Sequence, residues 1–138
     1  MPGIVVDASV SVAWFLPSEA TPFTEAALQA TAVGDVWVPA LWLLEIGNLM
    51  LNAQRRKRID VTKRRELVAA ASALRLRVDR EPVAMVDLDA LAARHGLTTY
   101  DAAYLELALR RALPLATQDA ALLAAMAAAG VAAPDLAD

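Results

Sequence analysis

Short apolar runs recur along the chain between longer helix-like stretches: Gly3 to Val6, Val36 to Val38, Leu76 to Asp79 and Leu115 to Thr117. Apolar runs of this kind need cover on both faces. The alternation therefore predicts a central, mostly parallel sheet with helices above and below it, a three-layer α/β/α domain. Leu76 to Asp79 alternates in polarity, as an edge strand does. Val131 to Ala133 is expected to add a last short strand.

Between these runs the pattern predicts helices from Ala8 to Phe15, from about Pro22 to Ala32, and from about Leu41 into the basic segment at Arg55. A fourth starts near Thr62 as its cap. Pro82 opens a fifth, which stops at Gly96 just after Arg94-His95. Thr98 or Thr99 caps a sixth over Tyr100 to about Leu113, and Asp119 starts a seventh to about Ala129. Hydrophobic residues make up 58% of the chain, many of them alanine, which suits closely packed helices. With 138 residues and no linker or repeat, residues 1–138 are expected to form one domain.

Several function classes drop out. There are no cysteines, which excludes disulfides, thiolate zinc sites and cysteine nucleophiles. Ile4-Val5-Val6 is cut by Asp7, too short for a signal segment, and no apolar run has membrane length. The expectation is a cytoplasmic protein away from membranes. The lone His95 sits in the last turn of a helix, where its charge suits the helix dipole. It is read as structural.

Four carboxylates stand out together. In an open parallel sheet, ligands bind beyond the carboxyl ends of the strands, and Asp7 and Asp119 both fall there. Asp101 lies in the first turn of its helix. Each of these three has an ordinary use as a cap or as a dipole partner. Glu45 interrupts the apolar stretch Trp42-Leu43-Leu44-Glu45-Ile46, with Asn48 on the same helical face. Carboxylates meeting in one cleft repel one another and raise each other's pKa. A divalent cation offsets that repulsion, and an all-oxygen donor set selects Mg²⁺ or Mn²⁺. Such ions orient water against a phosphodiester.

At these residues the chain resembles the PIN-domain family, in particular its VapC-type toxins. Val5-Val6-Asp7-Ala8-Ser9 resembles the family's opening motif and Glu45-Ile46-Gly47-Asn48 its second. Tyr100-Asp101-Ala102-Ala103-Tyr104 resembles the third, and Ala116-Thr117-Gln118-Asp119 the fourth. The order holds from about Gly3 to Val131. The resemblance implies a PIN fold and a Mg²⁺- or Mn²⁺-dependent endoribonuclease toxin, neutralised by a cognate antitoxin and usually homodimeric. It implies that Asp7, Glu45, Asp101 and Asp119 bind metal or activate water. Ser9, Asn48 and Thr117 would orient those carboxylates or contact phosphate.

The net charge of -3 runs against nucleic-acid binding. Positive charge is concentrated, however, in Arg55-Arg56-Lys57-Arg58 and Lys63-Arg64-Arg65. Arg55, Arg56 and Arg58 are therefore expected to contact the RNA backbone. Arg110 and Arg111 lie at the far end of the Asp101 helix and are given no role in the site. Trp14, Phe15, Trp37 and Trp42 are expected in the core, with Trp14 and Phe15 as the candidates for a partner groove. An aspartyl phosphatase would want a second acid where Ser9 stands. A receiver domain would want a late lysine, and the last one here is Lys63. The competitor from another class is a non-catalytic PIN-like binding or assembly module.

Overall fold

A computed structural model describes residues 3–136. Four strands, β1 (Ile4–Val6), β2 (Val36–Pro39), β3 (Leu76–Asp79) and β4 (Leu115–Ala116), form one sheet in the order β3-β2-β1-β4. Every pairing is parallel, with Ile4 opposite Val36, Val6 opposite Ala116 and Val38 opposite Val78. Around it lie α1 (Ala8–Ser11), α2 (Pro22–Val33), α3 (Leu41–Arg55), α4 (Val61–Ala73), α5 (Met85–His95), α6 (Thr99–Arg111) and α7 (Ala120–Ala129). This is the three-layer α/β/α architecture that the alternation predicts.

The sheet has two separate cores. One joins Val5, Val38, Trp42, Ile46, Met50, Tyr104, Leu105 and Leu107 to Leu122 and Met126. The other joins Ile4, Val6, Val10, Ala27 and Ala30 to Val36 and Ala116. Successive strand residues point to opposite faces, so Val5 feeds the first core while Ile4 and Val6 feed the second. That division is why β1 is apolar throughout and not alternating. Phe15 and Trp42 are buried, and Trp14 and Trp37 are half-buried beside them, as expected for packing residues.

The strand order decides where a site can form. From β1 the chain winds outward through β2 to β3, then returns to place β4 on the other side of β1. The winding therefore reverses between β1 and β4, and it is outside the carboxyl ends of strands at such a reversal that ligands bind in open sheets of this kind. Asp7 ends β1 on one side of the reversal, and Thr117 and Asp119 follow β4 on the other.

Four local expectations are corrected. The helix after Asp7 does not run to Phe15, because α1 ends at Ser11 and tightens into a 3-10 turn over Val12–Trp14. The cap of α4 is Asp60, not Thr62: its Oδ1 accepts the Lys63 N–H at 2.7 Å, and a carboxylate suits a helix start. Pro82 does not open α5, which begins at Met85. Glu81 is held by Arg110 at 3.2 Å, and a residue before proline avoids helical angles, so the segment stays extended. Val131 to Ala133 forms no strand: Ala132 accepts one hydrogen bond from the Leu115 N–H at 3.0 Å, and Pro134 lacks the N–H to continue. Gly96 ends α5 at φ 66°, in the left-handed form that glycine adopts freely.

Candidate active site

Asp7 does cap α1, accepting the Val10 N–H at 3.3 Å. That does not use up its carboxylate. Ser9 Oγ donates to Oδ1 at 2.7 Å and Thr117 Oγ1 donates to Oδ2 at 2.6 Å. The Asp119 N–H donates back to Thr117 Oγ1 and the Gln118 N–H to Ser9 Oγ, both at 3.0 Å. Two hydroxyls thus stitch the ends of β1 and β4 around one acid. Asp7 is buried, and burial pushes its carboxyl above the ordinary aspartate value. The hydroxyl and N–H donors pull it back in part, while the charge of Asp101 adds to the rise.

Glu45 comes from α3, whose buried stripe is Trp42, Ile46, Met50 and Ala53. That spacing turns Glu45 to the edge of the stripe, where it is half-buried. Its Oε1 accepts the Tyr104 hydroxyl at 2.6 Å. Burial raises the Glu45 carboxyl, the Tyr104 hydrogen bond opposes that, and Asp101 raises it further. Tyr104 is buried, and burial beside Glu45 holds its phenol far above the usual tyrosine value, so it donates. One turn before Glu45, the Trp42 indole donates to Ser11 Oγ at 2.8 Å, and Ser11 Oγ donates to the Asp7 carbonyl at 3.2 Å. These bonds tie α3 to the turn that carries Asp7.

Asp101 lies half-buried in the first turn of α6. Burial raises its carboxyl and the charge of Asp119 raises it further. Asp119 caps α7, accepting the Leu122 N–H at 2.9 Å. Asp101 therefore feels Asp119, and is itself felt by both Asp7 and Glu45. The four acids share one electrostatic field. Among the described residues, every ion pair lies elsewhere, on Asp35, Glu66, Asp79, Glu81 and Glu106. Among the described residues no cation forms a salt bridge to the cluster. Equally, among the described residues no three acidic, histidine or cysteine groups form a ready-made metal cage. An uncompensated, all-oxygen donor set fits Mg²⁺ or Mn²⁺ as the missing counter-charge. The acids would still have to draw together to share one ion.

The other sequence candidates divide. Ser9 and Thr117 sit on Asp7. Asn48 is exposed, and its side chain makes no hydrogen bond among the described residues. It shares an open cavity of about 380 Å³ with Leu41, Leu44, Glu45 and Tyr100. Arg55, Arg56 and Arg58 are exposed at the far end of α3. Arg55 is about 15 Å along the helix axis from Glu45, at about 1.5 Å per residue. A larger cavity of about 510 Å³ lies at the other end of α6, between Leu109, Pro114 and Val131, away from the four acids.

Two polar centres receive no role from the sequence, although Tyr104 closes the third motif. Tyr104 is visible as the residue one turn after Asp101, yet nothing in the string says it meets Glu45. Asp79 has no signal at all. It is buried at the end of β3, with Arg110 Nη2 at 2.7 Å and Arg111 Nη2 at 3.0 Å. The Arg110 hydrogen bonds hold its carboxyl below the usual aspartate value, and Arg111 adds to this. Arg111 also lies 3.7 Å over the Trp37 ring. Arg110 and Arg111 thus serve the sheet edge.

The PIN domain family matches this chain over residues 4–128. The chain belongs to the PIN-domain family. PIN domains are generally nucleases, and those nucleases typically use divalent metal ions. Among solved structures, the chain is similar to the crystal structure of PAE2754 from Pyrobaculum aerophilum. The two share 25% identity over 90% of this chain and 84% of that one, with a TM-score of 0.65. No curated protein matches it. Among the described residues no helix is long and apolar enough to cross a membrane.

Proposed function

We propose that this chain is a Mg²⁺- or Mn²⁺-dependent endoribonuclease, the toxin of a toxin–antitoxin pair, acting in the cytoplasm as a homodimer and neutralised by a cognate antitoxin. The observation that carries the reading is the field of four carboxylates about the carboxyl ends of β1 and β4, with no salt-bridged cation among the described residues. Asp7, Glu45, Asp101 and Asp119 would hold the ion, which would supply positive charge at a phosphodiester and lower the pKa of the attacking water so that it gives up a proton more readily. Thr117 and Ser9 fix the Asp7 carboxylate, and Tyr104 fixes Glu45. These hydrogen bonds orient the two acids within the fold.

The test is cleavage of total cellular RNA by the purified chain, free of antitoxin, with Mg²⁺, Mn²⁺ or EDTA, alongside Asp101→Asn. Discrete fragments are expected that require metal and fall by at least about a hundredfold in the variant. The absence of a ready-made cage among the described residues favours a second reading, the non-catalytic PIN module. In that case neither cleavage nor Mn²⁺ binding sensitive to Asp101→Asn would be seen.

A further inference from the structure

We propose that the cavity beside Glu45 is a nucleobase subsite, in which the Tyr100 ring stacks on a base of single-stranded RNA next to the cleaved bond. The inference rests on the ribonuclease reading above and adds to it how the strand is held.

Tyr100 is the one aromatic residue mostly exposed to solvent among the described residues, at 61%. Phe15, Trp42 and Tyr104 are buried, while Trp14, Phe23 and Trp37 are half-buried. Tyr100 belongs to neither core, although a ring of this size usually contributes through burial. Leu44, 69% exposed, lines the same cavity from α3, which gives the ring an apolar neighbour across a gap. At about 380 Å³ the cavity lies within the usual range for small-ligand sites, about 300–1,000 Å³.

The remaining lining selects the ligand. Asn48 presents an amide with no partner among the described residues, a donor and an acceptor side by side, which is the pairing that base edges take. Glu45 and the neighbouring Asp101 make the cavity negative. They disfavour a phosphate within it but tolerate a neutral planar base. Every base has a π-face, so stacking holds RNA without demanding a sequence. Tyr100 lines the same cavity as Glu45, so a base seated on the ring puts its adjoining phosphate at the edge of the carboxylate group, the placement that cleavage needs.

The experiment measures binding of fluorescein-labelled, random-sequence octaribonucleotides to the chain carrying Asp101→Asn, so that the probe survives. Adding Tyr100→Ala is expected to weaken binding by about 5- to 150-fold, the measured range for one stacked base. Tyr100→Phe keeps the ring and should hold affinity within about twofold. Octamers stripped of bases should bind weakly to the Asp101→Asn chain and bind no more weakly on Tyr100→Ala. An equal drop on the abasic probe would mean a backbone interaction and overturn the proposal. Unchanged affinity for the natural octamers would also overturn it and give the cavity to a protein ligand. Failure of the ribonuclease reading looks different: the Asp101→Asn chain would bind no RNA, and the unmutated chain would cleave none, before Tyr100 is touched.

Discussion

Asp7 carries two roles that a sequence offers as alternatives. It caps α1 through one oxygen, and both oxygens also take hydroxyl donors, so the cap and the site are one geometry. Thr117 lowers the Asp7 carboxyl against the larger effect of burial. Thr117→Val removes that donor and leaves the methyl-sized volume. The carboxyl should then titrate higher still, and the acidic limb of the pH–rate profile should move up by at least about half a unit, since a hydrogen bond to a charged group is worth about 1.5–3 kcal/mol. An unmoved limb would separate Asp7 from the reaction. At this scale all four acids, Ser9 and Thr117 were legible in the sequence, because nearly all stand just past a strand or in the first turn of a helix, and Glu45 breaks an apolar run. Tyr104 was not, since its use depends on Glu45 from a helix that lies far away in sequence.

At the scale of elements, helix ends decide most of the local structure. Asp119 is both the cap of α7 and a member of the carboxylate field, and two substitutions separate these roles. Asn caps about as well as Asp does, so Asp119→Asn should keep the melting temperature within about a degree or two while abolishing most activity. Asp119→Ala should abolish the activity and also cost about 1 kcal/mol of stability, readable in urea unfolding. The same physics explains the corrected start of α4. Asp60 outcompetes Thr62 because a carboxylate adds charge to the cap. α5 begins only at Met85, with Ala84 as the extended residue before it. The 3-10 turn that follows α1 leads directly into Phe15, a member of the main core.

At the scale of the whole molecule, two groups of acids bend stability with pH in opposite directions. Asp7, Glu45 and Asp101 have raised folded values, so the folded state holds extra protons. Metal-free protein should gain stability as pH falls through those raised values. Asp79 has a lowered folded value, so its contribution is complete above the ordinary value of 3.8 and is lost as pH falls below it. Thermal denaturation without metal should therefore show a maximum on the acid side of neutrality. Asp79→Asn should lower stability at neutral pH by about 2 kcal/mol and flatten the acid fall, because the two arginines remain partly exposed and keep other acceptors. With a net charge of -3, the RNA binding proposed above would depend on local patches. Replacing Arg55, Arg56 and Arg58 with Ala should reduce the slope of log affinity against log salt by about 0.7 for each phosphate that these arginines neutralise on single-stranded RNA. An unchanged slope would remove these arginines from the interface.

By itself the sequence determined the layers, the four motif acids and the order in which they enter the sheet. Those features follow from hydrophobic period and from capping chemistry, and both act within a few residues. The tertiary structure alone decided which strands are neighbours, and so brought the ends of β1 and β4 together around Asp7. It alone paired Tyr104 with Glu45, buried Asp79 under two arginines, and left Tyr100 bare beside an open cavity. None of those pairings has a local cause. Each depends on where the sheet reverses its winding, and that is fixed only once both cores are packed.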